Sequence, residues 1–505
     1  MVTGDRGRIA KNTFLLFFRM FFISLISLYT SRLTLNILGI SDYGIYSLVG
    51  GVVLLLSFLN SSMTATIQRF YNIEIAKNND LNFLKLFHTS RSVQLFLAIF
   101  VFIILQLLGN WLIYSKLKIP ESRIEAAYWS YQLAIISFVL SMSNVPYRAL
   151  IIANEKMGIF AVISILEVSL KLAAIVCLSI VPGDKLITYS SLILLTTVLV
   201  NASFKRYCIK KYSFSKGRYR IESEYFSALI NFSFWSLLSN ISVVLRNQGI
   251  SILLNFFYGV IVNAAHAITL QVSGILNSFI SNFTQAANPQ IVKLYAQGDL
   301  EEMKDLVLFS SRISFLLILL IGLPFYIYIE LFLNLWLSDV PPYVEIFTKL
   351  VIVQIFVEAF SSVQSTAQAA TGKIKLYHLV LSGIGLLNIP VAYFFLSNKS
   401  EPQVVFMVSI FLSGIISVAR LFFLKNSIHL SIKEYLTKVI VRCIVIAIIC
   451  VGACNLIKSN FQSSVVASGI GYIISTICTL VVCFLLGLNR LERSSVYDRI
   501  KKAVK

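Results

Sequence analysis

The chain contains repeated apolar runs of about 20 residues, and each run is long enough to cross the hydrocarbon core of a bilayer. Only 13% of its 505 residues are charged, whereas soluble domains carry about a quarter. Inside a bilayer a backbone can satisfy its hydrogen bonds only as helices or as a closed barrel. The runs lack the ten-residue alternation of barrel strands. The sequence therefore predicts an all-α membrane protein.

We predict about 14 transmembrane helices. The predicted spans are 12–38, 44–67, 90–114, 126–149, 158–181, 186–205, 228–257, 262–285, 307–332, 344–370, 375–397, 403–424, 435–456 and 464–487. The basic and then apolar N-terminus resembles a signal peptide. Because its apolar run continues to about Leu38 without a small-residue cleavage site, we expect a first helix that stays in the protein.

Lysine and arginine are concentrated in every second loop. The alternate loops hold only six of them, at Lys116, Lys118, Arg123, Lys185, Lys399 and Lys458. By the positive-inside rule this asymmetry predicts that both termini lie in the cytoplasm and that the number of helices is even. It also accounts for most of the net charge of +20, so we expect no nucleic-acid partner.

The sequence repeats itself at an offset of about 217–219 residues: Leu35-Asn36 matches Leu254-Asn255, and Asp80-Leu81 matches Asp299-Leu300. Because each repeat holds six helices, both copies begin on the same side of the membrane, as in transporters with parallel repeats and a substrate site between them. The predicted domains are an N-terminal six-helix lobe (1–220), a second six-helix lobe (221–432), and an extra helix pair with a basic tail (433–505).

Several predicted spans carry polar residues on one face, which is typical of helices that line a water-filled cavity. The tenth span carries Gln354 and Glu358, its repeat partner carries Asn144, and the eighth carries His266 and Asn277. Two alternatives remain. Small hydroxyl residues in such stripes also serve as contacts between helices, and His266 could be a polar residue near the membrane interface.

Charged residues within spans are strong candidates because a charge at the bilayer centre costs about 2.5–3.5 kcal/mol even on insertion scales. Arg246 stands with Asn247 and Gln248 in the apolar run VVLRNQGISILLN, Asn240 precedes it, and Arg19 lies in the first span. We predict that these residues line the cavity. A contact between helices is the alternative.

Known catalytic and energy-coupling motifs are absent from the sequence. It contains no G-x-x-x-x-G-K-[ST], no H-E-x-x-H and no G-x-S-x-G. Its four histidines are scattered over different spans and loops, which does not favour a metal site. The short outer loops leave no extracytoplasmic domain for an active site. We therefore expect neither an enzyme nor an ATP-driven pump, and no cofactor or metal.

Three groups of segments resemble a known family. These are LRNQGISILLN, VNAAHAITLQV and NFTQAANPQIVKLYAQGD within 234–299; NVPYRALIIANEKM at 144–157; and the opening NTFLLFFRMFFISLISLYTSRLTLNILGISDYGIY. They resemble Wzx-type polysaccharide flippases of the multidrug/oligosaccharidyl-lipid/polysaccharide (MOP) exporter superfamily, which serve O-antigen, capsule and lipopolysaccharide biosynthesis. The likeness runs along nearly the whole chain and does not identify the sugar.

The resemblance implies two six-helix lobes in a V around a central cavity, working by alternating access in the bacterial inner membrane. The implied substrate is an undecaprenyl-diphosphate-linked oligosaccharide, which the cationic residues Arg246 and Arg19, with Asn247 and Gln248, would hold. We expect a monomer in contact with membrane lipids and with polysaccharide polymerase and assembly proteins. Proton or sodium antiport could reset the empty carrier, and Glu358 is the candidate for that coupling.

Two other functions are alternatives to the flippase. A multidrug or cation exporter of the same superfamily would favour acidic cavity residues, whereas the charges in these spans are mostly basic. A membrane enzyme such as an O-antigen polymerase or ligase would carry a large extracytoplasmic loop, which this chain lacks.

Overall fold

The structure is a computed structural model. It describes the backbone of all residues except 1, 77–79, 155, 213–220, 374, 462–463, 490–491 and 494–505. Side chains are also not described for 2–21, 61, 65, 69, 72–73, 76, 80, 110, 232–243, 282, 285–287, 289–290, 292–293 and 296. The chain divides into two compact units, Met1–Ala267 and Ile268–Lys505.

The first unit is built from long helices. They are α1 (Val2–Leu54), α2 (Ser57–Ala76), α3 (Asp80–Ser115), α4 (Ile124–Ser143), α5 (Val145–Ala153), α6 (Met157–Leu178), α7 (Lys185–Lys211) and α8 (Ser223–Tyr258), with a 3₁₀ turn at Glu121–Arg123. The next helix, α9 (Val260–Gln297), contains the division between the two units.

The second unit is also helical. It holds α10 (Leu300–Ile327), α11 (Ile329–Trp336), α12 (Val344–Ala359), α13 (Gln364–Ala370), α14 (Lys375–Leu386), α15 (Asn388–Ser397), α16 (Val404–Ile428), α17 (Ile432–Tyr435), the π-helical segment Leu436–Val441, α18 (Arg442–Asn460) and α19 (Val465–Gly487). No β-strand occurs among the residues that the structure describes.

Twelve helical segments of the described chain are long and apolar enough to cross a membrane. The prediction of an all-α membrane protein is confirmed, and about 14 predicted spans agree roughly with the twelve segments. One difference is that Phe22–Leu54 counts as a single segment although it covers parts of both the first and the second predicted spans. Another is that the seventh predicted span lies in α8, which includes side chains outside the described set.

Two breaks in the helices recur in the two halves of the sequence. Gly39 interrupts α1 with φ 77° and ψ 169°, and Gly259 separates α8 from α9 with φ 83° and ψ −168°. Such positive φ values strain other residues but not glycine. The α4–α5 break at Asn144 likewise has a counterpart around Ser361, between α12 and α13. Both pairs of breaks fall close to the offset of the predicted repeat.

The interior of the first unit is apolar and contains two large clusters. One packs the second half of α1 against α3 and α4, with Ile45, Leu105 and Tyr131 at its centre. The other joins α2, α3, α5 and α7 around Tyr71 and Phe87. Helix α8 packs along α2 and also touches α1 and α3.

In the second unit, α12 packs against α16, and α18 packs against α19. Helix α10 contacts α12, α18 and α19. Arg312 of α10 forms an ion pair with Glu492, which follows α19 in the chain. The predicted extra helix pair is therefore packed directly on α10.

Three lysines from other parts of the chain cap interrupted helix ends. Lys185 Nζ donates to the carbonyl oxygen of Ile37, two residues before the Gly39 break, at 3.2 Å. Lys118 Nζ donates to Phe257, two residues before Gly259, at 2.9 Å. Lys458 Nζ donates to Ile327, the last residue of α10, at 2.9 Å. Lysine near a helix C-terminus satisfies carbonyls that have no partner within the helix.

Arg123 clasps two carboxylates within the first unit. Its Nε donates to Asp42 Oδ1 at 2.8 Å, and its other nitrogens reach both Asp42 and Asp184. Asp184 also caps α7 by accepting the N–H groups of Leu186 and Ile187. Burial alone would raise the pKa of Asp184, but the Arg123 hydrogen bond and these N–H groups hold that pKa below its ordinary value.

Replacing Arg123 with Gln should lower the stability of the protein by roughly 1–3 kcal/mol, because two carboxylates lose a charged donor. Folding lowers the pKa of Asp184, so the stability that this carboxylate gains from Arg123 is fully present above pH about 4. That contribution disappears as the pH falls further, and the stabilities of wild type and variant then differ less. Thermal melting in detergent measures this loss. Lys399→Gln, at an exposed lysine of another predicted outer loop, is the control. An equal loss in that variant would count against the clasp.

Candidate substrate and ion sites

The triplet Arg246, Asn247 and Gln248 lies in α8, and all three side chains are partly buried. In the structure the three residues lie on different faces of α8. Gln248 shares a face with the buried Ser251 and Asn255 at spacings of three and four residues. Arg246 lies about 180° around the helix from that face, because each residue turns by about 100°. Asn247 lies between the two faces.

The Gln248 face is packed against α1. A Cβ atom placed on Gly51 of α1 would lie 3.0 Å from Gln248 Oε1, so the glycine permits the close approach. Further along the same face, Ser251 Oγ donates to Asn263 Oδ1 of α9 at 3.2 Å. Gln248 is therefore part of a packed seam, whereas Arg246 is on the other side of α8.

Two other predicted residues of the first unit are buried. Asn144 is 4% exposed, and its Nδ2 donates to Asn201 Oδ1 of α7 at 3.0 Å. That bond holds the α4–α5 break, which fits the alternative of a contact between helices. His266 of α9 is 2% exposed. The side chains of Arg19 and Asn240 lie outside the described set, so their predicted role stays a prediction.

A row of hydroxyl residues on α1, namely Ser27, Thr30, Ser31 and Thr34, lines a cavity of about 160 Å³ inside the first unit. Thr30, Ser31 and Thr34 each donate their hydroxyl proton to a backbone carbonyl of α1, so their oxygens can only accept further hydrogen bonds. Lys171 forms part of the cavity wall and pairs with Glu167 at 2.8 Å. The cavity is therefore rich in acceptor oxygens and has one ammonium group at its edge.

Glu358 is the centre of a polar cluster in the second unit. Its Oε1 accepts hydrogen bonds from Gln354 Nε2 and from Ser413 Oγ, each at 2.9 Å. Ser417 Oγ donates to Ser361 Oγ at 3.1 Å, and Arg420 donates to the carbonyl oxygen of Ser361 at 2.8 Å. The predicted pair Gln354 and Glu358 lies one turn apart on α12, and Ser413 of α16 bonds to Glu358. The guanidinium of Arg420 follows on α16, one turn after Ser417.

Sequence reasoning missed the α16 side of this cluster. Ser409, Ser413, Ser417 and Arg420 recur at spacings of four, four and three, which is the signal that could have shown a polar face. Asn277, predicted for the same cavity, donates to Ser273 Oγ one turn earlier in α9 at 3.2 Å. The structure does not place Asn277 in the Glu358 cluster.

Comparison with solved structures identifies the fold. The lipid II flippase MurJ in an inward closed conformation matches with a TM-score of 0.70 and 12% identity, covering 94% of this chain and 98% of that one. An inward-facing multidrug resistance MATE family transporter of the MOP superfamily matches at 0.64 and 13%, covering 81% and 95%. A MOP superfamily transporter from Pyrococcus furiosus, described as having a binding pocket of reverse polarity, matches at 0.56 and 12%, covering 84% and 95%.

The chain therefore has the fold of MOP superfamily transporters and is a multi-pass membrane protein. These structural neighbours are transporters and flippases rather than enzymes. No protein-family model matches the chain, and no curated protein matches it significantly in sequence.

The contact between Gly51 and Gln248 predicts a difference between two adjacent glycines. Gly51→Leu should lower the stability of the protein, because its side chain must displace Gln248 and push α8 from α1. Gly50→Leu is the matched control, since a Cβ there has no neighbour within 4 Å and faces an apolar cavity of about 220 Å³. The melting temperature in detergent would be measured for both variants. Equal behaviour of the two variants would contradict the close contact.

Proposed function

We propose that this protein is a flippase that moves an undecaprenyl-diphosphate-linked oligosaccharide from the cytoplasmic to the periplasmic face of the bacterial inner membrane. One observation carries the proposal. MurJ accounts for 94% of this chain, whereas MATE structures that are themselves almost fully covered account for only 81–85%. The chain thus extends beyond the MATE fold and matches a lipid-linked-substrate flippase along nearly its whole length.

The charges support the same substrate class. A diphosphate cannot cross hydrocarbon unaided, because an isolated buried charge costs on the order of tens of kcal/mol. Arg246 is partly buried in α8, a helix that the sequence predicts to span the membrane, on the face opposite to the α1 contact. Guanidinium binds phosphate oxygens in a bidentate manner. An inside-negative potential also favours outward movement of the anionic head, by about 2.3 kcal/mol per charge per 100 mV.

We further propose alternating access as the mechanism, with both termini in the cytoplasm and a monomer as the working form. Polysaccharide polymerase and assembly proteins would then receive the translocated glycan.

A second candidate is a multidrug or cation exporter. It is favoured by the MATE matches and by the Glu358 carboxylate, which can hold a cation or a proton within its span. In the described spans this carboxylate lies in a cluster that also contains Arg420, which makes a purely cation-binding site less favourable.

Deleting the gene distinguishes the two functions. If the chain is the flippase, undecaprenyl-linked glycan accumulates on the cytoplasmic face and surface polysaccharide is lost. If surface glycan is unchanged and sensitivity to cationic dyes rises, the exporter function replaces the proposal.

In that deletion strain, Arg246→Ala should fail to restore surface polysaccharide, because the diphosphate loses its cation. Arg246→Lys should restore part of it, since charge is kept and the bidentate geometry is lost. Lys210→Ala, at an exposed lysine in the last turn of α7, is the control and should complement fully. Full activity of the alanine variant at normal expression would remove Arg246 from the site.

Glu358→Gln should uncouple transport from the ion gradient while keeping the fold, because an amide oxygen can still accept from Ser413 and Gln354. The measurement is the response of transport to collapse of the proton or sodium gradient. Glu345→Gln serves as the control, since Glu345 lies in the first turn of the same helix and pairs with Lys349 at its surface. An unchanged response in the Glu358 variant would exclude that residue from coupling.

A further inference from the structure

The segment between α3 and α4, residues 116–123, includes the 3₁₀ turn and crosses one end of the first unit as a strap. At its first end the backbone of Lys118 pairs with Asn255 of α8. The Lys118 N–H donates to Asn255 Oδ1 at 2.9 Å, and Asn255 Nδ2 donates to the Lys118 carbonyl oxygen at 3.2 Å. Asn255 is fully buried. Together with the Lys118 ammonium on Phe257, the strap holds the end of α8 by three hydrogen bonds.

The start of α9 packs closely against α1 at the same end of the unit. A Cβ on Gly44 of α1 would lie only 2.1 Å from the carbonyl oxygen of Val260, so only glycine permits this contact. Val260 is 6% exposed and belongs to the apolar cluster of α1, α3 and α4, together with Leu117 of the strap. The α8–α9 turn is therefore sealed by apolar packing as well as by hydrogen bonds.

The two ends of the strap are held differently. Arg123 at its far end is bound to two carboxylates, on α1 and before α7. The Lys118–Asn255 end consists of neutral amide hydrogen bonds and one ammonium–carbonyl bond. Neutral hydrogen bonds exchange for water with little net change in free energy, whereas charged ones are stronger. The Arg123 end is thus suited to stay fixed, and the Lys118 end is suited to open.

We propose that the α8–α9 turn and the strap 116–123 form a gate, shut in this structure, on the side that the sequence predicts to be outer. The hydrogen bonds between Lys118 and Asn255 hold the gate shut. In the predicted repeat, α8 is the counterpart of α1 before Gly39, and α9 is the counterpart of the rest of α1 together with α2. This seam therefore joins the opening helices of the two repeats. The gate rests on the alternating access of the proposed function and is independent of which substrate is carried.

The first test measures opening without any substrate. Val260→Cys places a thiol in the sealed seam, and a membrane-impermeant maleimide added outside spheroplasts reports its exposure against the parent chain. Adding Asn255→Ala should raise the labelling rate about tenfold, because the shut state loses two hydrogen bonds. Adding Asn201→Ala, which breaks a comparable amide bond to Asn144 away from the seam, should leave the rate unchanged. No increase with Asn255→Ala, or an equal increase with Asn201→Ala, overturns the gate.

The second test locks the gate. A disulfide between Lys118→Cys and Asn255→Cys should stop transport, and a reductant should restore it, while each single variant stays insensitive to oxidation. Continued transport with the disulfide fully formed overturns the gate. The two proposals fail separately. If labelling follows the prediction but gene deletion leaves surface polysaccharide intact, the gate stands and the oligosaccharide substrate does not.

Discussion

At an interrupted helix the last backbone carbonyls have no partner within the helix, and the rest of this structure depends on how those groups are satisfied. The interruptions at Gly39 and Gly259 are each capped by a lysine on the carbonyl two residues earlier. The α12–α13 break is satisfied by Tyr435 on Phe360 and by Arg420 on Ser361. Each break thus connects a helix to a distant part of the chain, and packing between helices follows from backbone chemistry.

This requirement also explains which cations remain in the predicted outer loops. The positive-inside rule disfavours lysine and arginine there, and the sequence keeps only six. Four of them have a structural role. Lys118, Lys185 and Lys458 cap helix ends, and Arg123 clasps Asp42 and Asp184. The ammonium groups compensate the negative end of the helix dipole at the same time. The exceptions to the topological rule are largely the residues that the fold requires.

The fold class could be predicted from the sequence because each long apolar run has only one common solution in a bilayer. The interruptions next to Gly39 and Gly259 could also be predicted, because the predicted spans end at 38 and 257 and resume at 44 and 262. The positive φ of the two glycines could not, since it depends on tertiary packing. Only the α12 side of the cluster around Glu358 could be predicted, because the spacing of residues along one helix is local. Ser413, which completes the cluster, is 55 residues away in the sequence. The triplet 246–248 was interpreted as one group because its letters are adjacent, yet neighbouring residues of a helix point about 100° apart.

The packing of α8 has a consequence for how the protein is made. By its sequence α8 opens the second repeat, yet it covers α2 and touches α1 and α3 in the first compact unit, Met1–Ala267. A nascent chain that ends before α8 therefore leaves a face of α2 uncovered, and this unit is completed only after slightly more than half of the chain has been synthesised. The predicted repeat unit is therefore not the unit that packs, so the two halves are not expected to be exchangeable as independent parts.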